Sequence, residues 1–167
     1  MSDETKNLAE RVSLRPVVLP DEEDFLIELY YTTREDIQLA PIDEEDKRKL
    51  SLMQYGLQKE HYTTYYPDST HDIILLDGVP VGRLWTARYE TEILGIDLAI
   101  MPEYRNMKIG TYLLENLFRE AAASNREFNF HVLKLNVKAI RLYERLNCKF
   151  VGETEMHYTM RWQAENQ

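Results

Sequence analysis

The chain has 167 residues, a net charge of −9 and one cysteine, with 44% hydrophobic and 29% charged residues. That is the size and composition of one globular domain with room for a real core. The charge argues against nucleic acid as a non-specific partner, and one cysteine excludes an internal disulfide or a cysteine-based metal site.

The opening "MSDETKNLAERVS" is polar and reads as a flexible tail over residues 1–12, as do residues 164–167. "SLRPVVLP" (13–20) is β-branched and bounded by prolines, which predicts an edge strand because Pro16 cannot donate to a ladder. Residues 21–36 have acids in their first turn and then Phe25, Leu26, Leu29 and Tyr30 at helical spacing. Residues 41–67 predict a second helix, capped by Asp43 and turning Leu50, Met53, Leu57 and His61 inward. "HDIILLDGVPVGRLWTARY" is two β-rich runs joined at Asp77-Gly78, a strong hairpin signal. "TEILGIDLAIM" is largely apolar and predicts a central strand. Ile109 to about Ser124 is an amphipathic helix with Leu113, Leu117 and Ala121 inward. "FNFHVLKLN" is a strand, "VKAIRLYERLN" a short helix, and "CKFVGET" and "MHYTMRW" two closing strands. There is no repeat and no linker, so the order β-α-α-β-β-β-α-β-α-β-β predicts a single mixed α/β (α+β) domain over residues 1–167. No apolar run approaches membrane-spanning length and no signal-peptide pattern is present, so a cytoplasmic protein without a membrane partner is expected.

The stretch "MPEYRNMKIGTYLLENLF" (101–118) carries the chemistry. A loop that delivers N–H groups to a helix N-terminus makes an anion nest. Gly110 allows close approach of the backbone, Arg105 and Lys108 add positive charge, and Thr111 can cap or donate. Neither a Gly-Lys-Ser/Thr phosphate loop nor the dinucleotide glycine spacing is present. Asp97 interrupts the apolar run "ILGIDLAIM", and a carboxylate in a central strand needs a reason. It is either a base or a structural acid paired with an arginine or with backbone N–H groups. Glu92, at the mouth of the same strand, is the reserve.

"LAIMPEYRNMKIGTYLL", followed by "LNVKAIRLYERLNCKFVGE", resembles the GNAT acetyltransferases. Their Arg/Gln-x-x-Gly-x-Gly/Ala motif falls on Arg105, Lys108 and Gly110. Their Asn-x-x-Ala-x-x-Leu-Tyr run falls on Asn136, Ala139, Leu142 and Tyr143, with Phe150 beyond. The resemblance covers roughly residues 13–162. It implies a mostly antiparallel sheet of six to seven strands with helices on both faces, and acetyl-CoA as co-substrate without a metal. The donor's pyrophosphate would lie on Arg105, Asn106, Met107, Lys108, Ile109, Gly110 and Thr111, and its pantetheine along Leu98, Ala99 and Ile100 and near Asn136 and Ala139. Lys108 stands where the family has its first glycine, and it fits if its φ is negative.

Acetyl transfer to an amine requires a neutral nucleophile, although a free alkylamine titrates near 10. A base must take that proton, and the leaving thiolate can accept one from an acid. Asp97 is the candidate base. The resemblance makes Tyr143 the candidate acid, against the alternative that Ile140, Tyr143 and Leu146 form one buried helix face. Tyr30, Tyr31, Tyr55, Tyr62, Tyr65 and Tyr66, with an acid excess in the first 70 residues, would suit a small cationic amine. Any one of these tyrosines is more readily a core residue, and His61 and His157 read as structural. A protein N-terminus or lysine as acceptor, and an acyl-CoA-binding module without transfer, are the alternatives. A monomer and a homodimer are both open.

Overall fold

The computed structural model describes residues 3–165. Seven strands form one mixed sheet in the order β1-β2-β3-β4-β5-β7-β6. The chain packs as two units. One takes the residues up to Trp85 together with Asp97–Gly110, and the other takes Thr86–Ile96 together with the residues from Thr111 on.

The first unit opens with helix α1 (Asp3–Arg11), which runs directly into strand β1 (Val12–Pro16). Residues 3–11 of the expected tail are helical. Leu8 and Val12 are buried, and the Arg11 guanidinium donates to both Asp77 oxygens at 2.8–3.2 Å. That partner is 66 residues away, so no local pattern announces it. Residues 1, 2, 166 and 167 lie outside the described residues. The strand expected over 13–20 ends at Pro16, where its antiparallel register with β2 (Thr70–Leu76) stops at Asp72.

The helix expected over 21–36 divides into α2 (Glu23–Thr32) and the single turn α3 (Glu35–Gln38). Helix α4 (Glu44–Tyr65) begins at Asp43, whose side chain accepts from the Asp46 N–H at 2.8 Å. Its inner face is not the expected one. Met53, Leu57 and His61 are exposed, and Ser51 and Tyr55 are buried. Tyr55 meets Tyr30 edge to face at 5.8 Å within a cluster that includes Leu26 and Ile73. The turn between β2 and β3 (Val79–Arg88) places Asp77 and Gly78 at φ 50° and 80°, the left-handed pair of a type I′ hairpin turn. Strand β4 (Glu92–Ile100) is fourth of the seven, hence central, and the turn Pro102–Tyr104 follows it.

The second unit is built on helix α5 (Ile109–Ala123), strand β5 (Glu127–Leu133), helix α6 (Val137–Arg145) and strands β6 (Lys149–Glu153) and β7 (His157–Trp162). Leu113, Leu117 and Ala121 are buried as expected. Phe118 stacks on Trp162 at 4.7 Å and meets Phe128 edge to face at 5.5 Å. Strand β5 runs parallel to β4 and antiparallel to β7.

Candidate active site

In the first unit the chain leaves β4 and turns toward α5. Arg105 buckles this loop in place. Its Nε donates to the Ile100 carbonyl at 2.8 Å, and Nη2 reaches the carbonyl and Oγ1 of Thr32 at 3.4 and 3.3 Å. Asn106 has φ 69° and Lys108 φ 62°, while Met107 between them stays out of the left-handed region. Alternation of this kind turns successive N–H groups toward one side, as in an anion nest.

The condition under which Lys108 fits, a negative φ, is not met: the residue stands at φ 62°. The position keeps the left-handed backbone that favours glycine, and a lysine there costs about 1–2 kcal/mol. Gly110 is a different case. A Cβ added to it would meet only Ile100 Cδ1 at 3.6 Å and Leu98 Cδ2 at 3.9 Å, which is ordinary contact. Packing does not demand glycine there, and its missing side chain leaves the first turn of α5 open to a close ligand. That turn carries no acidic residue, whereas α2 and α4 begin with Glu23-Asp24 and Glu44-Glu45-Asp46. The arrangement suits a phosphate. Ile109 is buried under the loop, and Met107 is exposed.

Alternation along β4 puts Asp97 and Ala99 on one face, and Leu98 and Ile100 on the face that meets Gly110. The β4–β5 ladder runs from Glu92↔Glu127 to Gly95↔Phe130, and Leu98, Ala99 and Ile100 lie beyond it. Asp97 is gripped by Arg83, a residue the sequence did not single out. Nε and Nη2 of Arg83 both lie 2.6 Å from Oδ2, and Nη2 also donates to Gln58 Oε1 at 2.6 Å. The Arg83 side chain is 4% exposed and that of Asp97 24%. The structural alternative for Asp97, an arginine pair, is thus present. The only sequence signal for Arg83 was a charge inside the β-rich run "VGRLWTA".

In the second unit, Glu92 accepts from Asn129 Nδ2 at 2.5 Å, and Asn129 Oδ1 accepts from Arg161 at 2.8 Å. The reserve base is thereby tied into a polar chain across β4, β5 and β7. Asn136 caps α6, its Oδ1 accepting from the Ala139 N–H at 3.2 Å. Helix α6 has no buried residue, so Ile140, Tyr143 and Leu146 do not form a buried face. Tyr143 is half-buried, its ring 4.3 Å from that of Phe130. Thr111, in the first turns of α5, is half-buried as well. Cys148 is buried, and burial pushes its thiol up to about 12.

Among the expected aromatics, Tyr30 and Tyr55 are core residues, and burial pushes Tyr55 up to about 12. His61 packs against Tyr65 on the surface of α4, ring centroids 4.4 Å apart and planes tilted by 41°. No group of His, Cys, Asp and Glu able to hold a metal ion occurs among the described residues, and no helix among them is long and apolar enough to cross a membrane.

A family model described as the acetyltransferase (GNAT) family matches residues 27–148. The chain belongs to the GNAT acetyltransferases. As a GNAT protein it is an acyltransferase, and the matched segment contains Asp97, the 105–111 loop and the Asn136–Tyr143 run. Solved structures share the GNAT fold at low identity. The PaiA N-acetyltransferase of Thermoplasma acidophilum, in complex with coenzyme A, is 18% identical at a TM-score of 0.68, over 92% of this chain and 99% of that one. An acetyltransferase of Thermus thermophilus is 18% identical at 0.65, over 91% and 96%. The Campylobacter jejuni N-acetyltransferase PseH is 16% identical at 0.56, over 91% and 97%. No curated protein matches the chain significantly in sequence.

Proposed function

We propose that this GNAT protein moves an acetyl group from acetyl-CoA to a primary amine by direct attack within a ternary complex. The observation that carries this reading is the loop itself. Left-handed Asn106 and Lys108 lead into an acid-free helix start where Gly110 has no side chain to keep a ligand off the backbone. The loop N–H groups would hold the pyrophosphate, with Lys108 supplying charge and Arg105 keeping the loop in shape. Main-chain groups of Leu98, Ala99 and Ile100 would hold the pantetheine and polarise the thioester carbonyl. Asn136 would fix the start of α6, and Ala139 would leave space beside it.

Asp97 would take the proton of the amine directly or through water, oriented by Arg83. Tyr143 would donate to the departing thiolate. A phenol near 10 protonates a thiolate near 8.5 only uphill, so hydrogen bonding is a large part of that role. No covalent enzyme intermediate is involved, since the Cys148 thiol is buried and held protonated. The acid excess of the first 70 residues favours a small cationic acceptor.

A thermal-shift titration tests the donor site. Acetyl-CoA at about 100 times its Kd should stabilise by roughly 2.7 kcal/mol, and inorganic phosphate should not. Gly110→Ala should remain folded, gaining up to about 1 kcal/mol of helix propensity, and lose the acetyl-CoA shift. Tyr143→Phe should keep that shift while amine-dependent thiol release slows. An unchanged shift in Gly110→Ala, or none in the native chain, overturns the assignment of the loop.

A further inference from the structure

Within the first unit, a cavity of about 260 Å³ opens between the β1–α2 connection, the second half of α4 and strands β2 and β3. Trp85 and His71 line it as a stacked pair, ring centroids 3.9 Å apart and 5° from parallel. The Trp85 indole N–H donates to Ser69 Oγ at 2.7 Å, which fixes the orientation of the pair. Leu19 and Tyr55 add apolar wall.

The charged part of the wall is cationic, beside the neutral hydroxyls of Tyr55, Thr63, Tyr66 and Ser69. Lys59 and Arg83 both line the cavity, and no aspartate or glutamate does. Their carboxylate partners stand outside the lining: Glu23 accepts from Lys59 at 2.9 Å, and Asp97 is held by Arg83. An ammonium has three donor hydrogens, so Lys59 keeps donors beyond the one given to Glu23. His71 Nε2 is buried without a hydrogen-bond partner, which is uncommon for a buried ring nitrogen. Burial first, and then the Arg83 charge, push the ring down to about 4, so it is neutral at physiological pH. A neutral ring offers a ligand one nitrogen that accepts or donates according to tautomer.

These features select a ligand class. A cationic guest would face two cations and no carboxylate. A purely apolar guest would leave the Lys59 donors and His71 Nε2 unsatisfied. A flat ring matches the aromatic stack, and the volume falls just below the usual range for drug-sized ligands, which suits a molecule of one or two rings. We propose that this cavity binds a small planar organic carboxylate, its ring against the Trp85–His71 pair and its carboxylate on Lys59 and Arg83. Its lining includes no residue of the 105–111 loop, and it shares Arg83 with the Asp97 ion pair.

Calorimetry on the full chain without acetyl-CoA tests it, using benzoate, benzamide and benzylamine as probes of nearly one shape and three charges. Benzoate should bind at least about tenfold tighter than benzamide, since hydrogen bonds to charged groups are the strong ones, and benzylamine should give no heat. Lys59→Met should weaken benzoate at least about fivefold. Thr63→Trp, a change at an exposed lining position, should block it by filling the cavity. Circular dichroism and melting confirm that each variant is folded. Absence of benzoate binding at millimolar concentration overturns the proposal. So does benzylamine binding as tightly as benzoate, or benzoate binding unchanged in folded Thr63→Trp. Loss of the acetyl-CoA shift with benzoate binding intact would count against the donor site alone.

Discussion

Arg83 and Asp97 form an ion pair in which Nε and Nη2 of the guanidinium both approach one carboxylate oxygen, Oδ2, at 2.6 Å. The arginine is almost fully buried and the aspartate is not. Asp97→Asn therefore leaves a buried cation without its counter-charge, and the unfolding free energy in urea should fall by about 3 kcal/mol. If Asp97 is also the base, turnover at a temperature where the variant is folded should fall about a hundredfold or more. The double variant Arg83→Met/Asp97→Leu should recover much of the stability and none of the turnover. Full activity in folded Asp97→Asn would leave Asp97 with the ion pair as its sole role.

Lys108 supports a second prediction. Lys108→Ala removes the side chain but keeps a Cβ at φ 62°, whereas Lys108→Gly removes the strain as well. The glycine variant should be more stable than the alanine variant by about 1 kcal/mol in denaturant unfolding. Equal stability would mean that the loop relaxes away from the left-handed conformation once the lysine is gone.

His71 gives the protein a pH dependence of known sign. Its ordinary value is 6.5 and its folded value about 4. Well above pH 6.5 the ring is neutral in both states and contributes nothing. Below 6.5 the unfolded chain takes up a proton that the folded chain refuses, so stability falls as the pH drops toward 4. The loss should reach about 2 kcal/mol, discounted for the ring's partial access to solvent. Urea unfolding of the native chain and of His71→Gln at pH 7 and pH 4.5 should show the smaller drop in the variant.

Cys148, buried and with its thiol pushed up to about 12, should be inert in the native state. A thiol reagent should label it at the rate of unfolding, and equally fast with or without acetyl-CoA only if the donor does not stabilise the fold. Rapid native labelling would contradict the burial.

What could be read from the sequence was what depends on neighbours in the chain. Asp77-Gly78 gave the hairpin because Asp-Gly favours the type I′ two-residue turn, and both residues are left-handed. The spacing of Leu113, Leu117 and Ala121 gave the inward face of α5 for the same local reason. The inner face of helix α4 is not legible in its periodicity, which counts apolar residues. Its true inner side is partly polar: Gln58 binds Arg83, and Tyr62 meets Trp85 edge to face at 5.1 Å. Those partners arrive from β3 and leave no mark on the helix. At the candidate site, motif spacing marked Arg105, Gly110, Asn136 and Tyr143, but it could not reveal that Lys108 is left-handed or that Asp97 has Arg83 as its partner.

Strand β7 follows β6 in the chain yet pairs with β5 on one side and β6 on the other. During synthesis, β5 and β6 are both made before the strand that joins them exists. Until Trp162 has emerged from the ribosome, Phe118 lacks the ring it stacks on and β5 keeps an open edge. A nascent chain stalled anywhere before that point is a target for chaperones or for another copy's strand, so β7 decides whether the second unit closes on itself.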